Sequence, residues 1–364
     1  MRFPITLSLY ISKIFLVRLA IVLSVVSVII IFSSIFEFMR VSYGKEIPFR
    51  VILKLAFLKY PYLIQRTVPF IILFASTFTF LYVARTAELV VMKATGISIW
   101  QFLAPILSIT LLIGILMTVV FSYVSSSLLS KHEKITQKYL RDVPQTLLVS
   151  KSGLWLRENN KQNNIIIYAK YYTYQEEMSL HDIKFFILSH QNVFEKRIDA
   201  VMAKLQPGYW QLNDVRIRQE NRPAEYYNML EFPTKLVKEQ LQDSFATPEM
   251  IPFIELPYFI NMLKEAGFSA IKYSLYYYRL LLQPIFMCTM VLMAASFALP
   301  LPRKQKVSPI IALGLIIGFI VYFVVDLVAV LGLSGKIPLI LAASSPIIIS
   351  MLITTAVVLH LEDG

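Results

Sequence analysis

The segment Arg85-Thr-Ala-Glu-Leu-Val-Val-Met-Lys-Ala-Thr-Gly96 has the residue types of a short helix built for contact. Thr86 suits its cap, Glu88 its first turn and Gly96 its end. Leu89 and Met92 would enter a groove on a partner, and Glu88 would offer a carboxylate to an arginine. Such a helix across the mouth of two membrane spans is a handle, not a catalyst. The plainer alternative is an amphipathic connection in which Glu88 pairs with Arg85 at i,i+3, worth about 0.2–0.5 kcal/mol. Spacing alone favours that alternative.

A second set is cationic. Arg40, Lys45, Arg50, Lys54, Lys59 and Arg66 fall between the first two apolar runs, and Lys131 and Lys134 follow the third. At a membrane rim such residues hold phosphates by charge-assisted hydrogen bonds, or snorkel toward ordinary anionic phospholipid. A third feature is Gly314-Leu-Ile-Ile-Gly318, which permits close approach of another helix. Asp326 is the one acidic residue within an apolar span and is expected in a structural ion pair near Lys336.

Nothing else is arranged for catalysis. His132, His181, His190 and His360 lack metal-ligand spacing, and Cys288 is the single cysteine. Neither G-x-x-x-x-G-K-[ST] nor G-x-S-x-G occurs. The chain is expected to be no enzyme, with no catalytic residue, no metal site and no cofactor of its own.

The elements that must position these residues are membrane helices. The 364 residues are 57% apolar and 16% charged, with a mean hydropathy of +0.63. That is too apolar for a soluble globular or disordered chain. Uncharged runs cover 19–36, 67–84, 94–130, 280–302, 307–325 and 337–361. A hydrocarbon core of ~30 Å takes about 20 helical residues. Each run therefore predicts one span, the third near 100–123 and the fifth extended past Asp326 to Leu331. The first run is too long for a signal peptide and lacks a small-residue cleavage site, so it is retained. Lys and Arg outnumber Asp and Glu by 35 to 23, yet residues 131–278 hold 19 basic and 17 acidic residues. The excess positive charge lies at membrane edges, which excludes a nucleic-acid footprint.

The middle reads as strands at 153–157, 164–171, 182–188, 200–205, 209–212, 215–218 and 226–232, with Asn213-Asp214 as one of the turns. Short strands at this spacing predict an all-β sandwich or jelly roll. Beyond it, Leu256, Phe259, Ile260 and Leu263 mark a short amphipathic helix closed by Gly267, lying at the interface.

Ala87-Glu-Leu-Val-Val-Met-Lys-Ala-Thr-Gly-Ile-Ser98 resembles the coupling helix of the LptF/LptG permeases, the paired membrane subunits of the ABC exporter that extracts lipopolysaccharide. Gly153-Leu-Trp-Leu-Arg157, Gly208-Tyr-Trp-Gln-Leu212, Leu331-Gly-Leu-Ser-Gly-Lys-Ile-Pro338, Leu341-Ala-Ala343 and Pro346 resemble the same family. The ending His360-Leu-Glu-Asp-Gly364 and the C-terminal half are closer to its LptG branch. The resemblance implies six membrane helices with an inserted all-β, jelly-roll-like periplasmic domain. Residues 1–130 would hold spans one to three with the coupling helix near 85–97. The β domain would be 131–247, an interfacial connector 248–278, and spans four to six 279–364.

It further implies a bacterial inner-membrane protein with both termini cytoplasmic; counting basic residues barely decides that orientation, with eight inside and seven outside. Arg85, Glu88, Leu89 and Met92 would meet a cytosolic ATPase dimer (LptB-like) that binds ATP and magnesium. Arg40, Lys45, Lys59, Arg66, Lys131 and Lys134 would hold lipopolysaccharide phosphates. Phe32, Phe36, Phe70, Phe74, Gly314, Leu315, Gly318 and Phe319 would form the cavity wall and lateral gate. The other implied partners are a sibling permease (LptF-like) and a single-span jelly-roll protein (LptC-like). The rivals are the sibling LptF role and, from another class, a receptor with an external β sensor. The receptor is disfavoured because the chain offers no cytosolic segment longer than that near 85–98.

Overall fold

The structure, a computed structural model, describes residues 5–44, 47–86, 88, 92, 94–140, 147–150, 153–159, 163–174, 178–189, 194–219, 223–234, 247–265, 269–300 and 307–363. Two compact units emerge. A helical unit comprises Met1–His132, Pro248–Pro257 and Ile271–Gly364, and a second unit comprises Glu133–Thr247 with Tyr258–Ala270.

Helices α1 (Ile5–Val41), α2 (Phe49–Arg85) and α3 (Ile99–Leu116) precede the insert. A π-helical segment, Met117–Phe121, joins α3 to α4 (Ser122–Tyr139). After the insert come α5 (Leu256–Glu265), α6 (Ile271–Ala298), α7 (Val307–Leu333) and α8 (Leu339–Asp363). Among the described residues, six helices are long and apolar enough to cross a membrane. Several outrun their uncharged stretches, because a charge ends an apolar run without ending a helix. Arg50, Lys54, Lys59 and Arg66, expected between spans one and two, ride on α2, whose Ile52, Leu55 and Ala56 are buried.

Prolines inside the spans leave carbonyls that nearby side chains satisfy. Pro284 cannot donate to Leu280 O, and Thr118 of the π segment donates to it instead at 3.2 Å. Pro69 likewise frees Gln65 O, which accepts from Gln283 Nε2 at 3.2 Å. The helices press closely there. A Cβ on Gly114 would sit 2.6 Å from Pro284 Cα. Burial is uneven: 72% of the most apolar stretch of α6 is buried, against 11% for α1 and 22% for α7. The first and fifth spans therefore present apolar faces outward.

The insert is one seven-stranded antiparallel sheet in sequential order, β1 (Leu147–Ser150), β2 (Gly153–Asn159), β3 (Asn163–Tyr174), β4 (Met178–Ser189), β5 (Phe194–Gln206), β6 (Tyr209–Gln219) and β7 (Glu225–Pro233). Among the described residues it is a meander that curls on itself, without the crossovers of the sandwich or jelly roll expected from the strand spacing. Phe185 of β4 meets Phe232 of β7 with ring centroids 5.1 Å apart, and Thr234 Oγ1 donates to Glu158 Oε2 of β2 at 2.7 Å. Trp210, Phe185, Leu180 and Leu212 fill the interior.

Asn213-Asp214 is not a turn: β6 runs through it. Asp182 and Asp214 have φ of 50° and 53°. Both fall in a row, Lys170, Asp182, Val201, Asp214 and Asn228, that breaks the pairing from β3 to β7 without shifting its register. Inward positions step by three across that row, Leu180 to Ile183, Ala200 to Ala203 and Leu212 to Val215. The result is a crease that bends the sheet while keeping apolar side chains inside.

Candidate functional sites in the helical unit

Glu88, Met92 and Ala94 are helical, while Leu89 lies outside the described residues. Gly96 adopts φ +78°, and Ile97 N–H donates to Met92 O at 3.0 Å, the closing bond of a glycine-terminated helix. Among the described residues, Thr86 serves the preceding helix. Its Oγ1 donates to Tyr82 O and Val83 O, so it closes α2, whose last carbonyls need a donor. Met92 does not project toward a partner: it is 7% exposed and belongs to the chain's own apolar core. Glu88 accepts from Tyr10 Oη of α1 at 3.0 Å, and its second oxygen, Oε2, is buried without a partner among the described residues.

Two more contacts fix the surroundings. Ser98 and Gln101 form a capping box at the start of α3, with Ser98 Oγ also donating to Glu362 of α8. Arg18 lies over the Tyr82 ring at 5.2 Å. The carboxylate of Glu88 is thus held by α1 at the end of the bundle where α2 stops and α3 begins. Arg85, in the last turn of α2, is exposed beside it.

The cations divide by what they touch. Arg40, Lys131 and Lys134 are exposed, and Lys45 lies outside the described residues. Lys59 is committed elsewhere: its Nζ donates to both Glu37 oxygens, at 3.0 and 2.9 Å, and lies 5.3 Å from the Phe38 ring. Phe38 also packs on His132, whose Nδ1 is 3.2 Å from Leu55 O. His132 is therefore a core histidine that ties α1, α2 and α4 together.

Arg66 is also engaged. Its Nε donates to Tyr322 Oη at 2.7 Å, and it lies 3.9 Å from Asp326, which accepts from Arg279 at 2.7 Å. Asp326 is in an ion pair as expected, but with Arg279 and Arg66, not Lys336. Sequence distance hid this, since the partners sit on α2, α6 and α7. Arg66, Arg279 and Asp326 each lie 19 residues from Arg85, Ala298 and Val307, the ends of their helices on one side of the bundle. At 1.5 Å per residue the three share a level about 28 Å from those ends, the far edge of a ~30 Å core.

The expected gate residues separate into two kinds. Phe32, Phe36, Leu315 and Phe319 are exposed on α1 and α7. Phe70 and Phe74 are partly covered, and Phe74 packs on the core. Gly314 and Gly318 face inward: a Cβ would meet Phe297 at 3.0 Å or Leu73 at 2.7 Å. The glycine pair seats α7 against its own chain, and the face turned outward is that of Leu315 and Phe319.

Among the described residues, six spans split three and three around a curled β insert define a multi-pass membrane protein. Residues 9–360 match the model of the lipopolysaccharide export system permease LptF/LptG family, and the chain belongs to that family. It is 23% identical over 271 residues to the lipopolysaccharide export system permease protein LptG of Escherichia coli strain K12, covering 72% of each chain. It is 22% identical over 274 residues to the protein of the same name from Haemophilus influenzae, covering 72% of this chain and 73% of that one.

Proposed function

We propose that this chain is the LptG-like half of a paired inner-membrane permease that extracts lipopolysaccharide and passes it to its β domain. The observation that carries this reading is the family match from residue 9 to residue 360, across both the helices and the insert. Both termini lie in the cytoplasm and the β domain in the periplasm. The exposed apolar faces of α1 and α7, with Phe32, Phe36, Leu315 and Phe319, meet the sibling permease and part to admit lipid. Arg40, Lys45, Lys131 and Lys134 hold the lipid phosphates at the rim. Lys59 leaves that set because Glu37 occupies its ammonium, and Arg66 because it belongs to the separate cluster with Tyr322, Asp326 and Arg279, where its five-donor guanidinium is only partly used.

A soluble ATPase dimer supplies the work, binding ATP and magnesium itself. The helix around Glu88 receives the motion, with Glu88, Leu89 and Arg85 meeting the ATPase. The β insert passes lipid on by pairing an edge strand with a jelly-roll partner. Among the described residues β1 and β7 are those edges, and Tyr226 and Met229 of β7 are exposed. Purification in mild detergent with mass spectrometry of what travels along tests the assignment. Two copies of an ATPase and one related six-span protein are expected. A chain recovered alone, or with a signalling kinase, contradicts it.

A further inference from the structure

The ion cluster opens onto a cavity of about 230 Å3 between α2, α6, α7 and α8, closed on one side by the turn Pro248–Met250. Two cations and one anion line it. Arg66 and Arg279 stand against Glu249 on the cavity wall, with Asp326 bridging the two guanidinium groups. Two features point to an occupant. Gln65 is 5% exposed, lines the cavity, and its Nε2 has no hydrogen-bond partner. An orphaned buried donor costs about 1–3 kcal/mol unless something accepts from it. Glu249, from the opposite side, has no ion pair among the described residues.

An occupant must therefore offer acceptor oxygens to Gln65 and the arginines and a cation to Glu249. We propose that the cavity seats the zwitterionic headgroup of an amine-bearing glycerophospholipid, phosphate toward Arg66, Arg279 and Gln65, ammonium toward Glu249. The level of the cluster is that of headgroups on one leaflet, about 28 Å from the far helix ends. The rest of the wall is apolar, lined by Phe286, Val325, Ala329 and Ile347, and suits the start of an acyl chain. The volume is below the ~300 Å3 at which drug-sized pockets begin, so a single headgroup fits and a phosphorylated disaccharide does not. This seat is separate from the rim residues assigned to cargo and does not depend on that assignment.

The test uses the full chain with its sibling and ATPase in nanodiscs. These are made of phosphatidylcholine alone, or with added phosphatidylethanolamine, phosphatidylglycerol or lipopolysaccharide, and are read by native mass spectrometry of retained lipid. Phosphatidylethanolamine should be retained selectively, since its primary ammonium donates to Glu249 and a quaternary one cannot. Glu249→Gln should cut that preference about tenfold, the loss of one charge-assisted bond. Gln65→Leu, close in volume and without the orphaned donor, should weaken retention while melting in phosphatidylcholine discs as the parent does. Excess soluble glycerophosphoethanolamine should leave the lipid in place. Equal retention of phosphatidylglycerol, displacement by lipopolysaccharide or by the soluble ester, or no retained lipid at all would each overturn the proposal.

Discussion

At the scale of single residues, what a cation already touches decides what it can still do. Lys59 and Arg40 look alike in the sequence, yet Lys59 bridges to Glu37 and Phe38 while Arg40 is exposed in the last turn of α1. Arg40→Ala should lower crosslinking of lipopolysaccharide to the purified complex several-fold, up to the tenfold that ~1.4 kcal/mol represents. Lys59→Met should leave crosslinking near the parent level and cost at most about 1 kcal/mol of stability, because the pair is partly exposed. The glycines part in the same way. A methyl on Gly114 meets the Pro284 backbone, whereas one on Gly318 meets the end of a flexible leucine. Gly114→Ala should therefore destabilise by about 1–3 kcal/mol, and Gly318→Ala by clearly less, in thermal unfolding of the detergent-solubilised chain. A lower melting point for Gly318→Ala would reverse that reading. The sequence shows residue types and spacing, but a carboxylate 22 positions away from Lys59 is invisible to both.

At the scale of elements, local pattern and tertiary constraint divide cleanly. The six spans, the helix stop at Gly96 and most strands were legible, because apolar length, glycine and β-branched runs act locally. Strand β1 was not anticipated, and β6 was split at Asn213-Asp214 because those residues are turn formers. The structure instead uses Asp214 at φ 53° inside a strand, aligned with Asp182 on β4, to crease the sheet. Only pairing across the strands reveals that use. Aspartate tolerates a positive φ and a β-branched residue does not. Asp214→Val should cost about 1–2 kcal/mol, read as faster proteolysis of the insert in the full-length chain, while Asp214→Gly should stay close to the parent. Equal sensitivity of the two variants would mean that the crease does not depend on that backbone conformation. The extension of α2 beyond its uncharged run has a similar origin: its buried Ile52, Leu55 and Ala56 keep the helix going past its charges.

At the scale of the whole molecule, the proposed function makes the chain a transducer whose two ends do different things. One end holds Glu88 against Tyr10, and the level of Arg66, Arg279 and Asp326 lies toward the other. The helix stop at Gly96 was recognisable from its residues, but the seating of this segment was not: Thr86 closes α2 and Met92 is buried in the core. In the proposed function Glu88 is therefore the contact on which force transfer turns. The decisive measurement is ATP-driven release of lipopolysaccharide from proteoliposomes holding the complete complex, followed together with phosphate production, for the parent, Glu88→Lys and Tyr10→Phe. The account expects Glu88→Lys to lose most transport while the complex still assembles and hydrolyses ATP. Tyr10→Phe, which removes only the positioning hydroxyl, should fall between the two. Full transport by Glu88→Lys would contradict the assignment of this helix as the point where work enters the chain.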